Sequence, residues 1–168
     1  MDRLFKKAFQ KVIEFEGGYV NNPSDAGGKT KFGITEKTAK KCGYQGNIKD
    51  LTKQQAKNIY YNYYWNNHDY NQVDYESIAI ELFEQAVNLG PTKANFNLQH
   101  SYNLLNKKQL AEDGIIGVRT LAAVNEYSDP KSLLKLLNLL QGKQYINICE
   151  HDQSKKIFLR GWLKRVSL

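Results

Sequence analysis

The sequence predicts a mainly α-helical protein with one small irregular lobe near its N-terminus, and three observations predict it. Apolar residues recur at i, i+3 and i+4 through most of the chain. Gly, Asn, Asp and Pro crowd into residues 17–50, where only a short hairpin around Lys31–Thr35 reads as strand. No long internal repeat or low-complexity segment interrupts the pattern. With 168 residues, 41% of them hydrophobic, the chain is long enough for one cored domain, or one domain with a small attached subdomain.

The elements follow in order. Leu4, Phe5, Ala8, Phe9, Val12 and Ile13 make the apolar stripe of a first helix, with Lys7, Lys11 and Glu14 on the opposite side. Extending the stripe by one turn lands on Glu16. After the loop-rich stretch a helix starts at Thr52, whose spacing to Gln55 matches a capping box, and runs through "NIYYNYYW" to Trp65. The next spans residues 74–89, with Ile78, Leu82, Phe83, Ala86 and Val87 inward, and Gly90–Pro91 ends it. Helical patterns resume over 92–105, 118–127, 130–150 and 154–166.

Charge narrows the function classes. The chain carries 24 Lys and Arg against 17 Asp and Glu, a net charge of +7. Most of the excess lies in residues 101–168, where Lys155, Lys156, Arg160, Lys164 and Arg165 give the last helix a basic face. Such a surface suits a polyanion or an anionic bacterial wall, or is simply solvated. The small charge excess before residue 100 and the lack of a recognition motif argue against nucleic acid. Cys42 and Cys149 stand alone and read as free thiols. His68, His100 and His151 have no partner at metal-ligand spacing, so neither metal nor cofactor is called for. The N-terminal "MDRLFKKAFQKVIEFE" has charges throughout and does not read as a signal peptide, and no run approaches the roughly 18 apolar residues of a membrane span.

The chemistry concentrates in "EFEGGYVNNPSDAGGKTKFGIT", residues 14–35. Five glycines there (17, 18, 27, 28 and 33) cost backbone entropy, so the stretch is expected to make unusual turns or approach a ligand closely. Glycoside hydrolysis needs an acid to protonate the leaving oxygen and a second group to position water or stabilise positive charge. A glutamate with an ordinary pKa of about 4.3 is a poor acid at neutral pH unless its surroundings favour the proton. Glu16 lies in the apolar phase of its helix and at the negative end of the helix dipole, and both favour the protonated form. Asp25, in the polar loop "PSDAGG", is expected to stay ionised, and Thr30 and Thr35 supply hydroxyls able to hold a water. Spacing alone leaves a plain structural reading open, with Glu16 snorkelling at a helix end and Asp25 capping a turn.

The run "EGGYVNNPSDAGGKTKFGIT" resembles the N-terminal signature of the N-acetylmuramidases of glycoside hydrolase family 108. "IYYNYYW" (59–65) and "ELFEQAVNLGP" (81–91) resemble later blocks of that family, and "DGIIGVRTLAAVN" (113–125) and "FLRGWLKR" (158–165) resemble the peptidoglycan-binding segment that follows it. The resemblance implies a lysozyme-like helical domain, with a catalytic region over 1–90 and a wall-binding-like region over 91–168 packed with it as one compact unit. It implies Glu16 as the catalytic acid, Asp25 as its partner and Thr30 as the assisting hydroxyl. Thr30 is one residue tighter than the usual gap, so Thr35 is the fallback. Asn22 stands where the family often has Asp, which leaves Asp25 as the second carboxylate of the loop. Tyr19, within the same motif, is expected to touch substrate.

Outside the loop, Tyr60, Tyr64 and Trp65 are read as lining the cleft or packing beside it, while Ile59 and Tyr63 are assigned to the core. Asn88 is a substrate hydrogen-bonder or an ordinary helix C-terminal residue. Residues 113–125 either dock the wall or complete one globular fold. The combined expectation is a monomeric peptidoglycan hydrolase that cleaves the β-1,4 bond between N-acetylmuramic acid and N-acetylglucosamine. It would be made in the bacterial cytoplasm, reach the wall through a holin or a secretion system, and act there. The rival readings are a lytic transglycosylase, which needs one glutamate and no water-activating carboxylate, and a non-catalytic wall- or nucleic-acid-binding module.

Overall fold

The computed structural model describes residues 1–15, 18–21 and 28–166, most of them helical. Packing divides the chain into two compact units, Met1–Asn71 and Gln72–Leu168.

In the first unit, helix α1 (Arg3–Phe15) buries Phe5, Ala8, Phe9 and Val12, the stripe its spacing predicts. Its start is set by Asp2, whose carboxylate accepts from the Phe5 amide at 2.6 Å and from the Trp65 indole at 3.2 Å. One side chain therefore caps the helix and ties it to a distant aromatic. Strands β1 (Tyr19–Asn21), β2 (Lys29–Lys31) and β3 (Ile34–Thr35) form a small antiparallel sheet in that order. Lys31 pairs with Ile34, so the β2–β3 hairpin turns on Phe32 and Gly33 alone, at φ +52° and +72°. Two positive φ angles are the mark of a type I′ turn, whose twist matches that of the strands. Phe32 adopts a backbone that side chains disfavour, and the Tyr60 hydroxyl holds it by donating to the Phe32 carbonyl at 2.7 Å.

Helix α2 (Glu36–Lys41) follows directly, in a stretch read from sequence as loop. Helix α3 (Lys53–Ile59) begins with the expected Thr52–Gln55 capping box. From Tyr60 to Trp65 the helix then widens to π-helical bonding. Phe5 and Phe9 of α1 pack on this turn, with Phe5 5.0 Å from Tyr61 and 5.8 Å from Trp65, and Phe9 5.7 Å from Tyr60. Each such buried ring is worth about 1.5–3 kcal/mol relative to exposure.

The second unit contains α4 (Glu76–Leu89), α5 (Pro91–Leu105), α6 (Val118–Asn125), α7 (Pro130–His151) and α8 (Lys156–Leu163). Gly90 and Pro91 separate α4 from α5 as predicted, α4 packs on α5 and α7, and α8 packs on α7. Packing groups α4 with the second unit, whereas the sequence reading drew its boundary after residue 90. Ile78, Leu82, Phe83 and Ala86 are buried as expected, but so are Glu81, Glu84 and Gln85 on the polar side of the same helix. Gln85 donates to Glu81 and to the Leu137 carbonyl, both at 3.0 Å, and accepts from Asn97 at 2.9 Å. The expected basic face of the last helix also needs correction. Arg165 is buried, with its guanidinium 4.0 Å from the Glu84 carboxylate. A buried charge is tolerated there because it faces an opposite one. Cys42 and Cys149 are both free thiols. Among the described residues, no helix is long and apolar enough to cross a membrane.

Candidate active site

Glu16 and Asp25, the two expected carboxylates, lie outside the described residues. In sequence they are flanked by α1, which leads to Glu16, and by the three strands, β1 before and β2 and β3 after the segment that carries Asp25.

Strand register decides which side chains share a face. Val20 pairs with Thr30 and Thr30 with Thr35, so these three project from one side of the sheet, while Tyr19, Lys31 and Ile34 project from the other. Ile34 is fully buried and Val20 is 46% exposed, so the threonine face is the outward one. The two threonines differ in freedom. Thr35 caps α2, its hydroxyl accepting from the Thr38 amide at 3.0 Å and donating to the Thr38 hydroxyl at 2.9 Å. The Thr30 hydroxyl takes no hydrogen-bond partner among the described residues, which leaves it open to a water or substrate.

Tyr19 lies on the inner face. The Lys49 ammonium sits 5.2 Å from its ring centre, and its buried hydroxyl meets no hydrogen-bond partner among the described residues. Lys31 donates from the same face to the Lys49 carbonyl, pinning β2 to the short 48–50 turn. Neither lysine was singled out from sequence. Their aromatic and carbonyl partners are nonlocal, so no short motif announces them.

The aromatic helix requires the clearest correction. Tyr60, Tyr64 and Trp65, read from sequence as lining the cleft or packing beside it, are 0%, 8% and 0% exposed and pack in the core. Tyr63, expected in the core, is instead half-buried, with its hydroxyl 3.0 Å from the Lys41 ammonium. That contact holds the Lys41 pKa above its ordinary value. The physical reason is the π-helical turn: i→i+5 bonding puts more residues in each turn than an α-helix does, so the face advances more slowly and Tyr60, Tyr64 and Trp65 come to share the inward side. The accessible side of this segment forms a groove of about 270 Å³ that includes Asn58, Asn62, Tyr63, Asn67 and Cys42. Burial pushes the Cys42 thiol pKa up, which keeps it protonated and unreactive.

Asn88 belongs to the second unit. Its amide donates to the Glu84 carbonyl one turn back at 2.9 Å, the habit of a residue finishing a helix. Among the described residues no three His, Cys, Asp or Glu side chains gather as a metal site.

The family described as "Glycosyl hydrolase 108" matches residues 9–90, and that described as "Predicted Peptidoglycan domain" matches residues 98–167. No curated protein matches the chain in sequence. Among solved structures the chain is similar to SagA of Brucella abortus, at 30% identity and a TM-score of 0.75, over 96% of this chain and 88% of that one. The first match runs from α1 through the hairpin and the aromatic helix to Gly90, and the second takes in most of α5 and α6–α8. This chain therefore belongs to the glycosyl hydrolase 108 family, as a glycoside hydrolase acting on peptidoglycan and carrying a peptidoglycan-binding region.

Proposed function

We propose that the protein is an N-acetylmuramidase, hydrolysing the β-1,4 bond between N-acetylmuramic acid and N-acetylglucosamine. The observation that carries this reading is that Glu16, Asp25 and Thr30 all fall inside the matched glycosyl hydrolase segment, 9–90, in which Thr30 lies on an outward threonine face. In this reading Glu16, which follows α1 directly in sequence, gives its proton to the glycosidic oxygen. Asp25 directs water or stabilises the oxocarbenium-like transition state, and the Thr30 hydroxyl, without a partner among the described residues, orients that water. The carboxamides of Asn58, Asn62 and Asn67 take the glycan-binding role first assigned to Tyr60, Tyr64 and Trp65, since amides suit hydroxyl and acetamido groups. The enzyme acts as a monomer at the wall, delivered there by a holin or a secretion system.

The test is digestion of purified peptidoglycan by wild type, Glu16→Gln and Asp25→Asn, with mass analysis of the fragments. The expected result is reducing muropeptides from wild type and a loss of about 10²–10⁴-fold in rate for Glu16→Gln, the usual contribution of a general acid. Anhydro-muropeptides, together with full activity in Asp25→Asn, would overturn hydrolysis in favour of a lytic transglycosylase. Folded wild type that sediments with the wall but releases nothing would leave only a docking module.

A further inference from the structure

A cleft of about 690 Å³ opens in the second unit, walled by the end of α5, the segment after it, and α6 with the turn that follows. All of it lies within the matched peptidoglycan segment, and its size falls in the range of about 300–1,000 Å³ that holds a drug-sized ligand. Tyr102 and Tyr127 line it, their rings edge to face at 5.7 Å. The amide N–H groups on its rim are turned inward to the backbone. Gln109 donates to the carbonyls of Asn103 and Asn106, at 3.1 and 2.8 Å, and Asn106 donates to the Tyr102 carbonyl at 2.9 Å. These bonds shape the rim and occupy N–H donors that would otherwise serve neutral sugar hydroxyls. The ionic groups in the lining are the ones left for a ligand: Lys108, Arg119 and Glu126, all exposed, none with a hydrogen-bond or ion-pair partner among the described residues.

Two cations and one anion around a cleft do not match a peptidoglycan glycan strand. Its sugars are N-acetylated, and the lactyl carboxyl of muramic acid is consumed in the amide bond to the stem peptide. The charges of peptidoglycan lie on that peptide, as free carboxylates and, at its diamino acid, an ammonium. Guanidinium binds carboxylate through paired N–H donors, and a carboxylate binds ammonium. We propose that this cleft binds the stem peptide of peptidoglycan, with Arg119 and Lys108 on its carboxylates and Glu126 on the diamino-acid ammonium. The aliphatic part of the peptide lies on the tyrosine wall. This deepens the reading of the chain as a peptidoglycan enzyme: one unit carries the glycan chemistry and the other reads the peptide.

The test is calorimetric titration of the full chain with two synthetic tripeptides, L-Ala-γ-D-Glu followed by meso-diaminopimelate or by L-lysine, and with peptide-free glycan from amidase-treated wall. The inference expects wild type to bind at least one tripeptide, and the affinity to fall at least tenfold in Arg119→Ala and in Glu126→Gln. Both sites are exposed, so the variants fold. Lys143→Ala, which removes a cation from α7 outside the cleft, is the charge control and is expected to bind as wild type does. The inference is overturned if neither tripeptide binds, if the Arg119 and Glu126 variants bind like wild type, or if peptide-free glycan displaces the tripeptide. The hydrolase reading fails separately. A chain that binds the tripeptide but releases nothing from the wall keeps this inference and loses that one, and the reverse result does the opposite.

Discussion

Replacing Tyr60 by Phe deletes one oxygen and with it the 2.7 Å bond to the Phe32 carbonyl, while the ring keeps its place against Phe9 and Tyr64. An ordinary hydrogen bond is worth about 0.5–1.5 kcal/mol net, and here it also restrains a turn residue at φ +52°. Tyr60→Phe is therefore expected to cost about 1 kcal/mol in urea melts. It should also lower kcat on soluble glycan chains with little change in KM, because the hairpin that carries Thr30 loses its tether. An unchanged kcat would assign Tyr60 to packing alone. Tyr60 thus bears on the proposed site through position rather than contact, and Asp2 joins the start of α1 to Trp65. The sequence displays both residues openly, but it hides their partners, which lie 28 and 63 positions away.

At the scale of elements, the turn at Asp113–Gly114 shows how tightly one connection can be specified. Gly114 sits at φ +72°; its amide donates to Gln99 at 2.9 Å and its carbonyl accepts from Asn95 at 3.0 Å, both on α5. A Cβ there would meet the Thr92 side chain and carbonyl at 2.7 Å. Gly114→Ala combines left-handed strain with a collision against backbone, so a loss of at least about 1–3 kcal/mol is expected by thermal melting. The melt of Gly117→Ala, where added bulk meets nothing, serves for comparison. That turn was legible as a "DG" between two helical patterns, as were the Thr52 capping box and the Gly90–Pro91 break, since all rest on local stereochemistry. Helix α2 was missed because Gly, Asn and Asp on both sides of it outweighed its own signals. Those signals were present: Thr35 caps its start, and Gly43 ends it, with the Tyr44 amide reaching back to the Ala39 carbonyl at 3.0 Å. The π-helical turn had no comparable signal, since its residues fit an α-helix equally well.

For the whole molecule, acid is expected to act on the two units at different pH. In the second, hydrogen bonds hold four carboxylates below their ordinary pKa: Glu112 by His100 and then Asn103, Asp113 by Gln99, Asp129 by Ser132 and Asp152 by Ser154. Depressed folded values mean that the unfolded chain binds more protons, so this stability is present above about pH 4 and is lost as pH falls through the lower folded values. In the first unit, burial lowers the His68 pKa, so neutral His68 supports the fold above about pH 6.5 and that support declines as pH drops towards the folded value. The chain's two tryptophans separate these effects. Trp65 reports the first unit and Trp162 the second. Urea melts of Trp162→Phe, read through Trp65, should begin to weaken as pH falls below about 6.5. Melts of Trp65→Phe, read through Trp162, should hold until about pH 4. Coincident midpoints across that range would refute separate titration.

The sequence by itself determined the helical class, most helix positions, the hairpin, the family and the residue types of the proposed chemistry, because all of these are written in local spacing. Tertiary structure decided what depends on neighbours far along the chain. It sent Tyr60, Tyr64 and Trp65 inward, where the widened turn faces α1, and left Tyr63 beside Lys41. It buried Glu81, Glu84 and Gln85 on a helix whose polar side reads as solvated, because α5 and α7 pack against α4 and α7 supplies the Leu137 carbonyl. It turned Arg165 from a surface cation into the partner of Glu84. Periodicity names one apolar face of a helix; whether the other face meets water or protein is settled only by what packs against it.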